Sequence, residues 1–459
     1  MDFLYSFFNI FFNQFMTQAP LMLGVITLIG YLALKKPIGE AIASSIKTSV
    51  GVLILQVGAS TMVSSLKPIL TSLTEKFGIL GVIIDPYAAY SSVIEALGDS
   101  FGWVGYTVMI GFGVNILLVL FKRWTKIKTL FLQGNIMFLQ AGLVTWIIYY
   151  YFKTGMWATV FLAGLLAGIY WAVFPNLIFK QTEEITGGAG FSIGHQQMFG
   201  CWLAAIIAPK IGNKSQSVEE IKLPGYLSIF QDTIVASSLI MLIFLGGIML
   251  ALGEETVTKM AGGKNWLVHI YLVALGFAVN ITIILTGVKM FVAELTNSFK
   301  GISEKILPGA VIAVDCSAIY IFSPNAVIFG FIFGAIGQFL AVSFLILISA
   351  PILIIPGFIP LFFDNATIGV FANKFGGWKA AAIICFFSGV IQVLGGVWAA
   401  SISGLSGGWQ GSFDWETVWP GIMSLLKIMG IPAIPLIVIV MLIIPIIQDM
   451  REKEKVETT

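Results

Sequence analysis

Gly81-Val-Ile-Ile-Asp-Pro-Tyr-Ala-Ala-Tyr90 carries an aspartate directly behind an apolar run, and the pattern returns later in the chain as Ala310-Val-Ile-Ala-Val-Asp-Cys-Ser-Ala-Ile-Tyr320. Asp85, Ala88 and Tyr90 thereby match Asp315, Ala318 and Tyr320. Leu130-x-x-x-Gly134-x-Ile136 returns as Leu353-x-x-x-Gly357-x-Ile359, and Phe199-Gly200-x-Trp202-x-Ala204-Ala205 as Phe375-Gly376-x-Trp378-x-Ala380-Ala381. Each match is short, but the order is kept, which points to two related halves spanning roughly 1–210 and 225–448. Membrane transporters built as inverted repeats place their solute where interrupted segments of the two halves meet. Gly134 with Asn135 interrupts one apolar run here, and Pro356, Gly357 and Pro360 interrupt its counterpart. Such breaks are tolerated at membrane depth only where the freed backbone is buried in protein or lines a cavity.

Composition identifies the solvent of most of this chain. Of 459 residues, 58% are hydrophobic and only 10% charged, with a mean hydropathy of +0.96, outside the range of soluble domains. Runs close to the roughly 20 residues a helix needs to cross a bilayer recur along the length. They read as Leu21–Leu34, Val50–Val63, Phe101–Phe121, Leu130–Tyr151, Trp157–Phe179, Ile229–Leu252, Trp266–Met290, Ala326–Leu347, Ala380–Ala400 and Ile431–Ile447, with shorter segments at Ala310–Ile321 and Pro351–Val370. The expected fold is an all-α polytopic membrane protein with about 11 transmembrane helices, an inverted internal repeat, and interrupted and re-entrant segments. Lys35, Lys36 and Lys47, then Lys122, Arg123, Lys126 and Lys128, mark two loops as cytoplasmic. That places the N-terminus outside, and the charged tail 449–459 inside.

Several function classes drop out. A net charge of +2 gives no electrostatic footprint for nucleic acid. Phe3–Phe15 has no basic residue ahead of it, unlike a cleaved signal peptide. Cys201, Cys316 and Cys385 sit in apolar or Gly-rich segments without metal-ligand spacing, so neither a disulfide nor a metal or cofactor site is expected. No nucleotide-binding loop or nucleophile elbow is present.

What remains is a small set of polar residues in apolar surroundings, and at membrane depth such groups mark function. Asp315 is the clearest carboxylate of this kind, able to accept hydrogen bonds from a solute or to take a hydroxyl proton. Asp85, followed by Pro86, suits either a helix start or a solute. Gly187-Gly-Ala-Gly-Phe-Ser-Ile-Gly-His-Gln-Gln197 combines glycines, which let backbone approach a solute, with His195 and Gln196, which can bind it. Asn135, Gln140, Asp364, Asn365 and Thr367 are further hydroxyl-binding candidates. Glu294 suits a gate or an inter-helix partner. Gln56, Asn115, Asn280, Gln338 and Gln392 read as helix–helix hydrogen bonders.

Gly190-Phe-Ser-Ile-Gly-His-Gln-Gln197, Phe291-Val-Ala-Glu-Leu295, Pro308-Gly-Ala-Val311, Ile355-Pro-Gly-Phe-Ile-Pro360 and Asn365-Ala-Thr-Ile-Gly-Val-Phe-Ala-Asn373 together resemble the ascorbate-type EIIC permeases of the bacterial phosphotransferase system. The resemblance runs from Phe11-Phe-Asn-Gln14 nearly to the last crossing. It implies a homodimer in the cell membrane, each protomer a scaffold domain plus a core domain that carries solute between faces. It also implies cytosolic EIIA and EIIB partners, with EIIB phosphorylating the solute held by this subunit. Carried over, the family's pocket falls on Tyr87, Gln140, His195, Gln196 and Asp315, with Asn135 beside them. Where the ascorbate permeases carry Thr, His and Gln, this sequence has Pro86, Asn135 and Leu139. Trading a histidine for Asn135 removes a group that can be cationic, which predicts a weaker hold on an anion and a shift towards neutral pentoses or polyols. Two other readings fit the sequence: an ion-coupled transporter using Asp315 or Glu294 and releasing solute unmodified, and a membrane-embedded enzyme with no transport role.

Overall fold

The structure, a computed structural model, describes residues 19–221, 229, 232–307 and 309–457. The apolar stretch Phe3–Phe15 and the motif Phe11–Gln14 lie outside them. In chain order the helices are α1 (Ala19–Ala33), α2 (Ile38–Phe77), α3 (Pro86–Leu97), α4 (Trp103–Leu120), α5 (Gly134–Phe152), α6 (Met156–Thr186), α7 (Met198–Ile211), α8 (Thr233–Leu252), α9 (Glu254–Met260), α10 (Trp266–Ile306), α11 (Pro324–Leu347), α12 (Asn365–Ser403), α13 (Phe413–Met429) and α14 (Ala433–Glu457). Between them run short strands: β1 (Leu80–Ile84), β2 (Thr129–Phe131), β3 (Phe191–Ile193), β4 (Val311–Val314), β5 (Ile352–Pro356) and β6 (Gly408–Trp409).

Among the described residues, 8 helices are long and apolar enough to cross a membrane, or 9 if the pair Ser237–Leu252 and Glu254–Met260, bent by 112°, counts as one span. The chain is a multi-pass membrane protein; the 8 or 9 spans are those of the described residues, beside the about 11 helices expected for the whole chain. Val50–Val63 is the middle of the 40-residue α2. Leu21–Leu34 falls on α1, whose described part is the 15 residues Ala19–Ala33. Ala310–Ile321 and Pro351–Val370 are not whole helices, since each opens with a strand. Side chains such as Leu347 at 82% and Ile428 at 80% exposure form the outward apolar face that lipid accepts and water would not.

The strands are what an all-α expectation missed, because a short apolar run reads alike as buried strand or buried helix. They form two three-stranded sheets, ordered β5-β1-β6 and β2-β4-β3. All pairings are parallel, with Leu80 opposite Ile352 and Ile84 opposite Pro356 in the first sheet, and Leu130 opposite Ile312 and Ile193 opposite Val314 in the second. The central strand of each sheet comes from one half of the chain and both flanking strands from the other. Neither sheet can form from one half alone, so the halves are cross-paired through backbone hydrogen bonds.

One of the three sequence matches falls on elements that do not correspond in this plan. Phe199–Ala205 lies in α7, after β3, whereas Phe375–Ala381 lies in α12, ahead of β6, so the element placed like α7 is α13. The two matched segments belong to helices that pack together: a Cβ on Gly376 would meet the Ala208 carbonyl at 2.3 Å. Their shared small residues are explained by close helix approach. At Gly377 the chain kinks with φ of 71°, and a side chain there would meet the carbonyls of Asn213 at 2.2 Å and Gln216 at 2.4 Å.

Candidate substrate-binding site

A cavity of about 520 Å³ opens where the carboxyl ends of both sheets meet. Pro86 and Tyr87 reach it from the end of β1, Asn135 and Leu139 from beyond β2, and His195 and Gln196 from the end of β3. Asp315 and Ser317 come from the end of β4, and Ile359 and Phe363 from beyond β5. Five of the six strands therefore send the residues that follow them to one chamber. Helices begin at the same place, so their amide-rich N-termini surround it and favour an oxygen-rich or anionic guest.

Asp315 caps the 3-10 helix Cys316–Phe322: Oδ1 accepts from the Ser317 amide at 2.9 Å and the Ser317 hydroxyl at 2.6 Å. This leaves Oδ2 for a solute. His195 is 4% exposed, and its Nδ1 donates to Gln197 Oε1 at 2.6 Å. The acceptor role of Gln197 Oε1 is set because it also receives the Gln196 amide at 2.9 Å, while Gln197 Nε2 donates to Thr367 Oγ1 at 2.9 Å. The ring nitrogen left for a solute is Nε2. Gln196 Oε1 accepts from Ser412 Oγ at 2.7 Å, and its Nε2 is buried without a hydrogen-bond partner. An unmet donor on a cavity wall marks a place where a ligand or water completes the bonding.

Of the six residues the sequence singled out, Tyr87, Asn135, His195, Gln196 and Asp315 line the chamber. Gln140 stands behind it. Fully buried, it donates from Nε2 to the His195 carbonyl at 3.1 Å and accepts from Trp171 Nε1 at 2.6 Å, so it positions the His195 loop instead of facing a solute.

The other candidates serve the frame. Asp85 caps α3, with Oδ1 accepting from the Tyr87 amide at 2.9 Å, and is fully buried. Asp364 is not a hydroxyl-binding group of the chamber: its Oδ2 accepts the Phe413 amide at 2.6 Å, holding the start of α13. Asp414 in turn accepts the Phe199 amide at 3.0 Å at the start of α7, and the Tyr170 hydroxyl at 2.7 Å. Asn365 bonds the Leu361 carbonyl at 3.0 Å, and Thr367 the Phe363 carbonyl at 2.6 Å. Glu294 is an inter-helix partner, taking the Tyr31 hydroxyl at 2.6 Å with Lys47 at 3.5 Å. Among the described residues no group of three or more His, Cys, Asp or Glu could hold a metal ion.

Sequence reasoning passed over Gln133, Ser317 and Lys289, all of which line the chamber. Lys289 carried a signal, as the one lysine in the apolar run Trp266–Met290, where a charge needs a reason.

Helices that cross a membrane, with two cross-paired sheets presenting polar side chains to a solute-sized chamber between them, define a multi-pass membrane protein of the permease type. The chain belongs to the family described as the sugar-specific permease component of the PTS system, whose pattern matches residues 14–416. It is also 35% identical over 442 residues to the ascorbate-specific PTS system EIIC component of Mycoplasma pneumoniae (strain ATCC 29342 / M129 / Subtype 1), a match covering 85% of this chain. The chain spans 66% of the length of that relative.

Proposed function

We propose that this permease binds L-ascorbate, or a small hydroxylated solute closely related to it, in the chamber between Asp315, His195 and Gln196, and delivers it across the membrane for phosphorylation. The observation that carries the reading is the set of unused groups converging there: Asp315 Oδ2, His195 Nε2 and the unpartnered Gln196 Nε2. Two acceptors, Asp315 Oδ2 and His195 Nε2, and one donor, Gln196 Nε2, within one cavity wall suit a ring bearing several hydroxyls and a carbonyl or enolate oxygen. The ascorbate-specific name of the relative supports the solute class.

In this reading separate EIIA and EIIB proteins pass a phosphoryl group inward from phosphoenolpyruvate. A solute hydroxyl oxygen bonds to the phosphorus carried by EIIB, the bond from phosphorus to EIIB breaks, and the hydroxyl proton passes to the Asp315 carboxylate. The core that holds the solute moves between membrane faces against a scaffold, within a homodimer whose C-termini lie in the cytoplasm. Support for a moving core lies in the cross-paired sheets, which tie the residues of the chamber into one body.

Membrane vesicles loaded with phosphoenolpyruvate and the general phosphotransferase proteins test this, with and without purified EIIA and EIIB. Accumulation of phosphorylated solute only with both partners is the expected result. Ion-driven accumulation of unmodified solute in their absence would replace this reading with an ion-coupled transporter.

A further inference from the structure

Lys289 stands in the wall of the chamber that also holds Asp315 and His195, and the backbone explains why it faces that way. Helices α2 and α10 cross at two glycines: a Cβ on Gly287 would lie 2.4 Å from the Gly51 carbonyl and 2.5 Å from the Leu55 amide. Glycine at both positions locks the rotation of α10 with Gly287 against α2. Two residues on, roughly 200° further around the helix, Lys289 is turned away from α2, and Ala293, one turn beyond, lines the same chamber. Phe291 packs edge-on against Phe138 of α5, ring centres 5.6 Å apart, which fixes this part of α10 beside Asn135 and Leu139.

Its electrostatic setting is equally specific. Glu294, the acidic side chain closest to it in sequence, is taken by Tyr31 and Lys47, and no ion pair of Lys289 occurs among the described residues. A cation left without a fixed partner in a cavity wall, near the unmet Gln196 Nε2 donor, is complementary to a negative charge on a guest. Asn135 carries no charge of its own. Lys289 is the one lysine among the residues that line the chamber.

We infer that Lys289 selects for a monoanionic solute, its ammonium group neutralising the charge of the guest while Asp315, His195 and Gln196 read the hydroxyls. The inference rests on the proposed function and names the charge class within it. It reverses the expectation of neutral pentoses and polyols drawn from Asn135.

The test compares equilibrium binding of ascorbate, an anion at neutral pH, with that of its uncharged oxidised form, dehydroascorbate, on the purified full chain. Wild type, Lys289→Gln and Lys289→Arg are measured at low and high salt. Lys289→Gln should weaken ascorbate binding by about tenfold and remove most of its salt dependence, leaving dehydroascorbate within about twofold. Lys289→Arg should keep the preference for the anion. Unchanged ascorbate binding in Lys289→Gln, or an equal loss for both probes, would overturn the role of Lys289 while leaving the proposed function standing. Wild-type protein that binds neither probe would bring down the proposed function itself, and this inference with it.

Discussion

Asp85 and Asp315 end the central strands of the two sheets and make the same bond, each accepting through Oδ1 at 2.9 Å from the amide two residues on. Their surroundings separate them. A Cβ on Gly357 would stand 2.4 Å from the Cβ of Asp85, so that carboxylate is covered by backbone, whereas Asp315 faces the chamber. One position in a repeated design has become a structural cap in one half and a candidate solute-binding group in the other.

Asp315→Asn keeps the cap, because an amide oxygen can still accept the Ser317 amide, but loses the charge and the base. Solute binding or phosphorylation should fall by at least about tenfold, with folding intact. Equilibrium binding together with a thermal melt in detergent reads both properties.

Asp85→Ala should give the opposite pattern. Removing an N-cap costs about 1 kcal/mol, so the melting temperature should drop, and Asp85→Asn should restore it. Solute affinity per folded molecule should stay close to wild type in Asp85→Asn.

Gly357→Ala places a methyl group against Asp85, with Oδ2 at 2.5 Å from the new carbon. Backbone and a buried cap cannot both move aside, so a destabilisation of at least about 1–3 kcal/mol is expected. Yield and melting temperature of the variant in detergent measure it.

Gln140→Ala leaves the chamber wall untouched but removes the bonds to the His195 carbonyl and Trp171. Solute binding should weaken by about fivefold to tenfold, and Gln140→Glu should recover little, since a carboxylate cannot donate to the carbonyl. A variant with wild-type affinity would show that the loop holds His195 without Gln140.

Much of this site was legible from residue order, because charge and amide groups are scarce in an apolar chain and each one stands out. Tyr87, Asn135, His195, Gln196 and Asp315 were found that way or through resemblance, and they share one cavity. The repeats at Asp85 and Asp315 and at Gly134 and Gly357 likewise marked strand ends before the strands were known. Hydropathy alone could not reveal the strands themselves. Val311–Val314 and Ile352–Pro356 are apolar on both faces, so they lack the alternation that separates strand from helix. Nor could it tell Asp364 from Asp315, since both are carboxylates in apolar runs; only the fold puts the Phe413 amide 2.6 Å from one of them. Lys289 was hidden by its place near the end of the apolar run Trp266–Met290, where a lysine that snorkels to the membrane surface looks the same in sequence.

The most direct measurement is an experimental structure of the full chain with L-ascorbate bound. Density for the solute between Asp315 Oδ2, His195 Nε2 and Gln196 Nε2, with Lys289 beside it, is the expected result. Solute seated instead in the cavity lined by Leu66, Ser92 and Gly407, with the chamber at the strand ends empty, would contradict the account.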